Sequence, residues 1–361
     1  MQLVSHFVLV LLIMTTEEIP KTMKRLVVKA PGKDVASCQI ETEEVPVPEP
    51  GAGQVLIKVT AAAINPSDYG SWPNCRPEQC PFAMGKEGCG VVVKTGSGIL
   101  TSLICGVGTK VGFSNLQNKQ GSYSEFVVAD AYTSVFRMPN DLPIEDAASF
   151  FVNPYTAIGI LDTVKSEGSK AFVHTAAASQ LGQMLIKVAP SQNVEIICVV
   201  RRQDQADLLR NIGAKHIVVT GKDDSWKQKL KAKIDELNAT VAFDAVAGRS
   251  AGDLLDLMPV KGTVYVYGGL AGKVENVNPM ALIYHEKKLK GFFLTAWIQH
   301  GGMLATIPRM MMAGHKVNTG LSGGWSSSKF KDTSLENVQS DIVQMLNSSV
   351  TGQKLRVRLD S

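Results

Sequence analysis

Two patterns of hydrophobic and polar residues divide the chain. From Lys24 to about Arg137, short β-rich runs are separated by glycine and proline turns, as at residues 25–29, 55–59 and 90–93. Short runs bounded by such turns are typical of antiparallel strands. This part of the chain therefore predicts a compact, mostly antiparallel β domain.

From about Asp146 to Leu289 the pattern changes to an alternation of strands and helices. We predict strands at residues 171–174, 194–200, 216–219, 241–243 and 263–267. We predict helices at residues 182–189, 203–212, 226–237 and 251–257. Ser250 is placed to cap the last of these helices, and Gly213 is placed to end the second. Alternation at this spacing predicts an α/β fold with a doubly wound parallel sheet.

Length, charge and cysteine usage narrow the class of protein. A chain of 361 residues is long for one hydrophobic core, which favours two domains. The formal net charge of +4 is too small to argue for a nucleic-acid partner. The six cysteines form no CxxC pair, which favours reduced thiols over a disulfide framework. We therefore expect a cytoplasmic protein, with a mitochondrion or another organelle as the alternative.

One segment near the N-terminus is almost entirely apolar. Residues Leu3 to Met14 read LVSHFVLVLLIM, which is too short to span a bilayer as a helix. The segment lacks a basic n-region, and no obvious small-residue cleavage site follows it. A weak export signal, a disordered extension and sequence upstream of a later start all stay open. No membrane span is predicted.

The first turn of the α/β region carries a dinucleotide-binding pattern. Small residues recur there at the i, i+3 and i+6 spacing of a glycine-poor fingerprint. They would let the backbone approach a pyrophosphate, and the following helix would offer free N–H groups and the positive end of its dipole. Close packing alone would also select small residues, so this alternative stays open. The residues predicted to bind the cofactor are Ala176, Ala178, Ser179, Gln180, Leu181 and Gly182.

The end of the next predicted strand indicates which dinucleotide binds. An NAD site usually places a carboxylate there, about twenty residues past the turn, to accept from the ribose hydroxyls. This chain has Arg201 and Arg202 instead. Arginine supplies positive charge and forked donors to a 2′-phosphate, so we predict NADPH. The alternative is that the two arginines only cover a helix surface.

Four ordered motifs resemble a known family. They are NPSD at residues 65–68, GKEG at 85–88, GSYSEF at 121–126 and VNPYTA at 152–157. With the dinucleotide turn they resemble the medium-chain dehydrogenase/reductase superfamily, in its quinone-reductase-like branch, from about Met23 to the end of the chain. The resemblance implies a GroES-like β-rich catalytic domain, an inserted Rossmann domain and usually a homodimer.

The resemblance also divides the chain. It implies a first part of the catalytic domain at residues 23–145 and a Rossmann NADPH-binding domain at residues 146–290. Residues 291–361 would return to the catalytic domain, and residues 1–22 are an unassigned extension.

The chain departs from the zinc alcohol dehydrogenases of this superfamily. Where those enzymes supply a catalytic cysteine and a His-Glu pair, the resemblance places Asn65 and the pair Lys86-Glu87. Zinc sites of this kind use three protein ligands of nitrogen or sulfur type, and a lysine ammonium is not a ligand. The closely spaced cysteines of a structural zinc lobe are also missing. We therefore predict a protein without a metal.

Two further stretches, residues 265–270 and 288–297, are similar to the mitochondrial-type trans-2-enoyl thioester reductases. The motif at 152–157 fits that group too and adds Thr156 to the predicted cofactor contacts. Lys354 matches a C-terminal lysine that reaches the cofactor in such proteins. The residues that would border the nicotinamide are Tyr267, Gly268, Gly269, Phe293, Leu294 and Thr295.

The match fails at one tyrosine. The enoyl thioester reductases carry a tyrosine several residues beyond NPSD, whereas this chain has Tyr69 directly after Asp68, before what looks like a shortened loop. A packing role for Tyr69 therefore stays open beside a catalytic one. Asn65 and Tyr69 are the catalytic candidates, expected to contact a carbonyl oxygen of the substrate.

Three functions follow as hypotheses. The first is NADPH-dependent reduction of a trans-2-enoyl thioester carried on CoA or acyl carrier protein. The second is reduction of a quinone or a general enone, since both are small-molecule electrophiles that accept hydride without a Lewis acid. The third is NADPH binding without catalysis.

Overall fold

The computed structural model describes residues 18–115, 120–221, 223–348 and 351–359. The apolar segment at residues 3–14, and most of the predicted extension 1–22, lie outside these residues. In the described part, the strands form one three-stranded, one six-stranded and one seven-stranded sheet. No helix in that part is both long and apolar enough to cross a membrane.

The first domain is built from antiparallel strands, as the short runs predicted. Strand β3 lies at its centre, paired with β5 on one side and with β7 along part of its length. Strand β1 pairs with β2 and β4 in a separate small sheet. The strands are β1 (Thr22–Ala30), β2 (Gln39–Pro46), β3 (Gln54–Ala63), β4 (Phe82–Ala83), β5 (Glu87–Thr95), β6 (Lys110–Ser114), β7 (Phe126–Asp130) and β8 (Val135–Arg137).

Three helices lie in the first domain or at its border with the second domain. Helix α1 (Pro66–Tyr69) follows β3, and α2 (Ile99–Ile104) follows β5. Helix α3 (Val152–Ser166) leads out of the β domain toward the second domain. Its first turn packs in an aromatic cluster in which the rings of Phe151 and Tyr155 lie 4.6 Å apart. This packing fixes the start of α3 against the first domain.

The second domain is a parallel six-stranded sheet with the order β11-β10-β9-β12-β13-β14. The chain runs outward from β9 in one direction and then from β12 in the other, which is the Rossmann order with its switch point between β9 and β12. The strands are β9 (Ala171–His174), β10 (Glu195–Val200), β11 (His216–Val219), β12 (Val241–Asp244), β13 (Thr263–Val266) and β14 (Lys288–Gly291). The helices are α4 (Gln180–Val188), α5 (Gln203–Asn211), α6 (Ser225–Glu236), α7 (Arg249–Leu257) and α8 (Pro279–Ile283).

The two predicted helix ends had different outcomes. Gly213 follows α5 at φ +97, a left-handed conformation that suits glycine, so that prediction is confirmed. The prediction that Ser250 caps α7 is wrong. Gly248 precedes the helix, and the Ser250 hydroxyl lies inside it, donating to Asp244 Oδ1 at 2.8 Å. The helix begins at Arg249, so Ser250 lies in its first turn, where its hydroxyl serves the buried carboxylate of Asp244 instead.

The last strand of the described chain pairs with a strand of the first domain. Strand β16 pairs antiparallel with β3 and parallel with β15. This pairing brings the start of β16 beside the residue that follows β3, because Ile64 N donates to Leu355 O at 3.0 Å. The elements are α9 (Leu294–Gln299), α10 (Met303–Ser322), β15 (Phe330–Thr333), α11 (Val338–Asn347) and β16 (Lys354–Arg358).

Candidate active site

Four buried polar side chains meet where β3 ends and β16 begins. Lys354 Nζ donates to Asn65 Oδ1 and to Ser149 Oγ, both at 2.7 Å. Lys354 Nζ also lies 3.2 Å from Glu87 Oε1, to which Asn65 Nδ2 donates at 2.8 Å. All four side chains are at most 6% exposed. We call these residues the Lys354 cluster.

The second oxygen of Glu87 holds the start of helix α3. Glu87 Oε2 accepts hydrogen bonds from Phe151 N and Val152 N, each at 2.8 Å. A carboxylate is stabilised at a helix N-terminus by these free donors and by the helix dipole. A buried charge is tolerated only when it is paired and hydrogen-bonded, and both conditions are met here. The Lys354 cluster therefore joins the β domain to the helix that carries Thr156.

Helix α1 carries both catalytic candidates. Asn65 caps its start, and Tyr69 ends it. The carboxylate of Asp68 accepts from Asn65 N at 2.7 Å and from the Tyr123 hydroxyl at 3.1 Å. Burial raises the pKa of Asp68 above its usual range. These bonds fix the backbone of α1 against the sheet.

Tyr69 ends α1 and packs against the buried cluster that contains Trp72 and Tyr123. The side chain is half-buried, and its hydroxyl makes no hydrogen bond with any residue that the structure describes. Burial raises the pKa of Tyr69 to about 12, and the neighbouring Asp68 adds to the shift. Tyr69 therefore keeps its proton at neutral pH and can act as a hydrogen-bond donor.

The predicted dinucleotide turn lies between β9 and α4. Ala176 has φ +50, and Ser179 precedes the helix with its Oγ accepting from Gly182 N at 3.2 Å. A Cβ on Gly182 would lie only 2.6 Å from the carbonyl carbon of Ala177, so no larger residue fits without a shift of the backbone. The turn is thus closed against the helix, and the first-turn N–H groups of α4 have no partner within the helix.

The switch point beside this turn is held by side chains from both halves of the sheet. Thr175 Oγ1 donates to Asp244 Oδ1 at 2.6 Å, which connects the end of β9 to the end of β12. Next to this bond, the Tyr267 hydroxyl and His174 Nε2 lie 2.8 Å apart, and their rings stack. Burial lowers the pKa of His174 to about 3, so its ring is neutral at neutral pH. Tyr267 is held at the edge where it was predicted to border the nicotinamide.

Gly268 also stands where only glycine fits. A Cβ there would lie 2.7 Å from Ala245 O, within the loop that follows β12. Its neighbour Gly269 is exposed and meets nothing closer than 3.6 Å, so no steric requirement falls on that position.

The two arginines after β10 have different surroundings. Arg202 makes a two-pronged bond to the carboxylate of Asp204, at 2.9 Å for each prong, and it also contacts Thr351 Oγ1 at 3.2 Å. Arg201 is exposed at the end of the strand, and its guanidinium contacts no carboxylate among the described residues. Of the two residues predicted to bind a 2′-phosphate, Arg201 is the one whose donors are available.

A segment before β16 lies across the start of α4. Gln180 Nε2 donates to Gly352 O, and Gln205 Nε2 donates to Thr351 Oγ1 at 3.3 Å. Lys354 follows this segment directly, but its ammonium points into the Lys354 cluster. Its predicted contact with the cofactor therefore stays a prediction.

The remaining predicted contacts lie at helix starts. Thr156 is 8% exposed in α3, and its hydroxyl donates to Val152 O at 2.5 Å. Phe293, which precedes α9, is 68% exposed, whereas Leu294 and Thr295 are half-buried. Leu294 packs against the aromatic cluster around α3.

Sequence reasoning named Glu87 only within its motif and gave it no role, and it missed Ser149. Glu87 lies inside the GKEG motif, directly before an apolar run that is buried in β5. A carboxylate at the start of a buried strand was the available signal, since such a group needs a partner. The family resemblance equates Asn65 and Lys86 with zinc-ligand positions, and neither side chain is a usual zinc ligand. Within the described ranges, no three His, Cys, Asp or Glu side chains come together as a metal site.

Comparisons with known proteins agree with this architecture. The family described as "Alcohol dehydrogenase GroES-like domain" matches residues 51–140, and the family described as "Zinc-binding dehydrogenase" matches residues 181–308. A bovine (Bos taurus) mitochondrial enoyl-[acyl-carrier-protein] reductase is 30% identical over 274 residues, which cover 72% of this chain and 69% of the relative. The Xenopus tropicalis protein of the same name is 29% identical, with 72% of this chain and 74% of the relative covered.

Solved structures show the same fold. A structure from Mesorhizobium loti described as an NADPH:quinone reductase has a TM-score of 0.79 at 29% identity, covering 94% of this chain and 99% of that one. The Escherichia coli quinone oxidoreductase solved with NADPH has a TM-score of 0.77 at 18% identity, covering 93% and 99%. A GroES-like domain combined with a Rossmann domain defines a class of oxidoreductases. The chain belongs to the medium-chain dehydrogenase/reductase superfamily.

Proposed function

We propose that the protein reduces an activated carbon–carbon double bond with NADPH, and that its substrate is a trans-2-enoyl thioester on CoA or acyl carrier protein. The protein is an NADPH-dependent reductase of its superfamily. The proposed substrate rests on the bovine relative, which is 30% identical and is named an enoyl-[acyl-carrier-protein] reductase. The half-buried Tyr69 hydroxyl, with no internal acceptor among the described residues, supports it on the chemical side.

The residues of the second domain fit a dinucleotide. At the start of α4, the N–H groups of Gln180 and Leu181 have no partner among the described residues, whereas those of Gly182 and Gln183 donate to Ser179. A pyrophosphate would be held there by Ala178, Gln180 and Leu181, and a 2′-phosphate by Arg201. When bound, NADPH supplies the hydride for the reduction.

The residues of the first domain bind and orient the electrophile. Reduction of an enoyl thioester places negative charge on its carbonyl oxygen, and a donor already in place stabilises that charge. Tyr69 keeps its proton and has a free hydroxyl, so we assign it this contact. Asn65 is 1% exposed, and both ends of its amide are bonded within the Lys354 cluster. We therefore assign Asn65 a positioning role for α1 rather than a direct contact.

The test is NADPH oxidation by the chelator-treated protein with a trans-2-enoyl-CoA, run beside a simple quinone. We expect turnover of the thioester, and Tyr69→Phe should lower kcat about 10²-fold or more with NADPH affinity unchanged. Tyr132→Phe, a distant tyrosine that is 41% exposed, serves as the matched control. Full activity of Tyr69→Phe would remove Tyr69 from the mechanism.

A second candidate function is reduction of a quinone. The Mesorhizobium loti structure, at 29% identity and nearly complete coverage, favours it. Turnover of the quinone alone would assign the protein to that group. NADPH binding without turnover of either substrate would favour a non-catalytic role.

Two further proposals concern assembly and location. We retain the homodimer that the family resemblance implied, and light scattering of the purified protein would refute it by giving the mass of one chain. The names of the curated relatives favour the mitochondrial alternative over the cytoplasm. A fluorescent fusion of the full chain tests this location.

A further inference from the structure

Two cysteines lie side by side in the loop that follows α1. The sulfur atoms of Cys75 and Cys80 are 3.1 Å apart, although the two residues are not bonded. The loop holds them there through backbone bonds from Cys75 N to Trp72 O and from Cys80 N to Pro77 O, at 3.4 and 3.1 Å. A disulfide bond is about 2.0 Å long. The two sulfurs therefore need to approach by only about 1 Å to form one.

This pair is the accessible part of the cysteine set. Cys75 and Cys80 are half-buried, and the four residues between them are exposed. The four other cysteines are at most 5% exposed; they are Cys38, Cys89, Cys105 and Cys198. Reactive thiols are those that solvent reaches, whereas buried ones are inert.

We propose that Cys75 and Cys80 form a redox-active dithiol site, which a small disulfide oxidant such as glutathione disulfide converts into an intramolecular disulfide. One thiolate attacks a sulfur of glutathione disulfide, forms a mixed disulfide and releases one glutathione thiolate. The second thiolate attacks the protein sulfur of the mixed disulfide and releases the second glutathione. The protein loses two electrons and two protons, and glutathione disulfide becomes two molecules of glutathione.

The thiols influence each other. Burial and the contact with Cys80 together raise the pKa of Cys75 to about 11. The thiolate is the form that attacks a disulfide, so the reaction should become faster as the pH rises.

The site also has a structural consequence. Trp72 is fully buried, and its backbone N–H donates to Tyr69 O at 3.3 Å. Because Cys75 N in turn donates to Trp72 O, two consecutive turns connect Tyr69 to Cys75. A bond between Cys75 and Cys80 would close the loop that continues from the end of α1.

The experiment exposes the reduced full-length protein to glutathione disulfide and follows thiol number, intact mass and the peptide map. We expect two of the six thiols to disappear, the mass to fall by that of two hydrogen atoms, and one linked peptide to join Cys75 to Cys80. A dithiol reductant should restore both thiols. Cys105→Ser, a buried cysteine outside the loop, is the matched control and should oxidise like the wild type.

Single variants test the pairing. Cys75→Ser and Cys80→Ser should each stop at a stable glutathione adduct on the remaining cysteine of the pair, because neither retains the thiol that resolves it. Retention of all six thiols in the wild type would overturn the proposal. A persistent mixed disulfide, or a linked peptide containing any other cysteine, would overturn it as well. None of these measurements depends on the substrate.

Discussion

Substitution of Gly182 by alanine is the sharpest test of the dinucleotide turn. The new Cβ would lie against Ala177 O, 2.6 Å from the carbonyl carbon and 2.7 Å from the Cα of Ala177. All three atoms belong to the backbone, so no side chain can move aside. Ordinary contact begins at 3.4 Å, and Ala177 O lies nearer still than the carbonyl carbon, so the helix must separate from the turn by more than about 0.8 Å.

This separation determines how much NADPH affinity the substitution should cost. Forcing an extra carbon into a closely packed site costs about 1–3 kcal/mol. The strain falls on the N–H groups that would hold the pyrophosphate, because they start the same helix. At 1.4 kcal/mol for each factor of ten, the Kd for NADPH should rise about 5- to 150-fold.

The assay is fluorescence titration with NADPH, combined with urea unfolding of the free protein. Gly221→Ala is the matched control, since a Cβ there meets nothing within 4 Å and the backbone is not left-handed. We expect the control to bind NADPH like the wild type. If Gly182→Ala bound NADPH with wild-type affinity, the turn would not be the pyrophosphate site, and the argument from backbone approach would be refuted.

Three other predictions concern charge and protonation. The pKa of His174 is lowered from 6.5 to about 3, so its stabilising contribution is complete above pH 6.5 and decreases as the pH falls toward 3. Between pH 6.5 and pH 5, the free energy of unfolding should fall by about 2 kcal/mol more for the wild type than for His174→Gln. Urea unfolding at the two pH values measures this difference, and equal decreases would contradict the prediction. Glu87→Gln leaves the Lys354 ammonium buried without its counter-charge and should cost about 3–5 kcal/mol, whereas Glu87→Gln with Lys354→Met should recover most of the loss. Arg201→Gln should raise the Kd for NADPH about tenfold and leave that for NADH unchanged, with the exposed Arg210→Gln as control; an equal change for both nucleotides would exclude a 2′-phosphate contact.

The parallel sheet could be predicted because its central strands are buried on both faces. Such strands appear in the sequence as continuous apolar runs between helical stretches, and the five predicted strands are found with ends within one residue. Strand β14 was not predicted as a strand. It reads Lys-Leu-Lys-Gly, is largely exposed and lies at the edge of the sheet, so it lacks the apolar signal.

The Lys354 cluster could not be predicted from the pattern of hydrophobic and polar residues. Asn65 and Lys354 were both named from motifs, but 289 positions separate them in the chain. Periodicity describes which face of an element is buried, and it does not tell which distant charges meet. The roles of Glu87 and Ser149 depend on this meeting.

The pairing of β16 with β3 has a consequence for the synthesis of the protein. The ribosome completes β3 and the whole Rossmann sheet before it makes β16, so the edge of β3 that β16 will cover has no partner during most of translation. The inserted domain can fold on its own contacts in the meantime. The Lys354 cluster, whose lysine is the first residue of β16, can therefore close only after nearly the whole chain has been made.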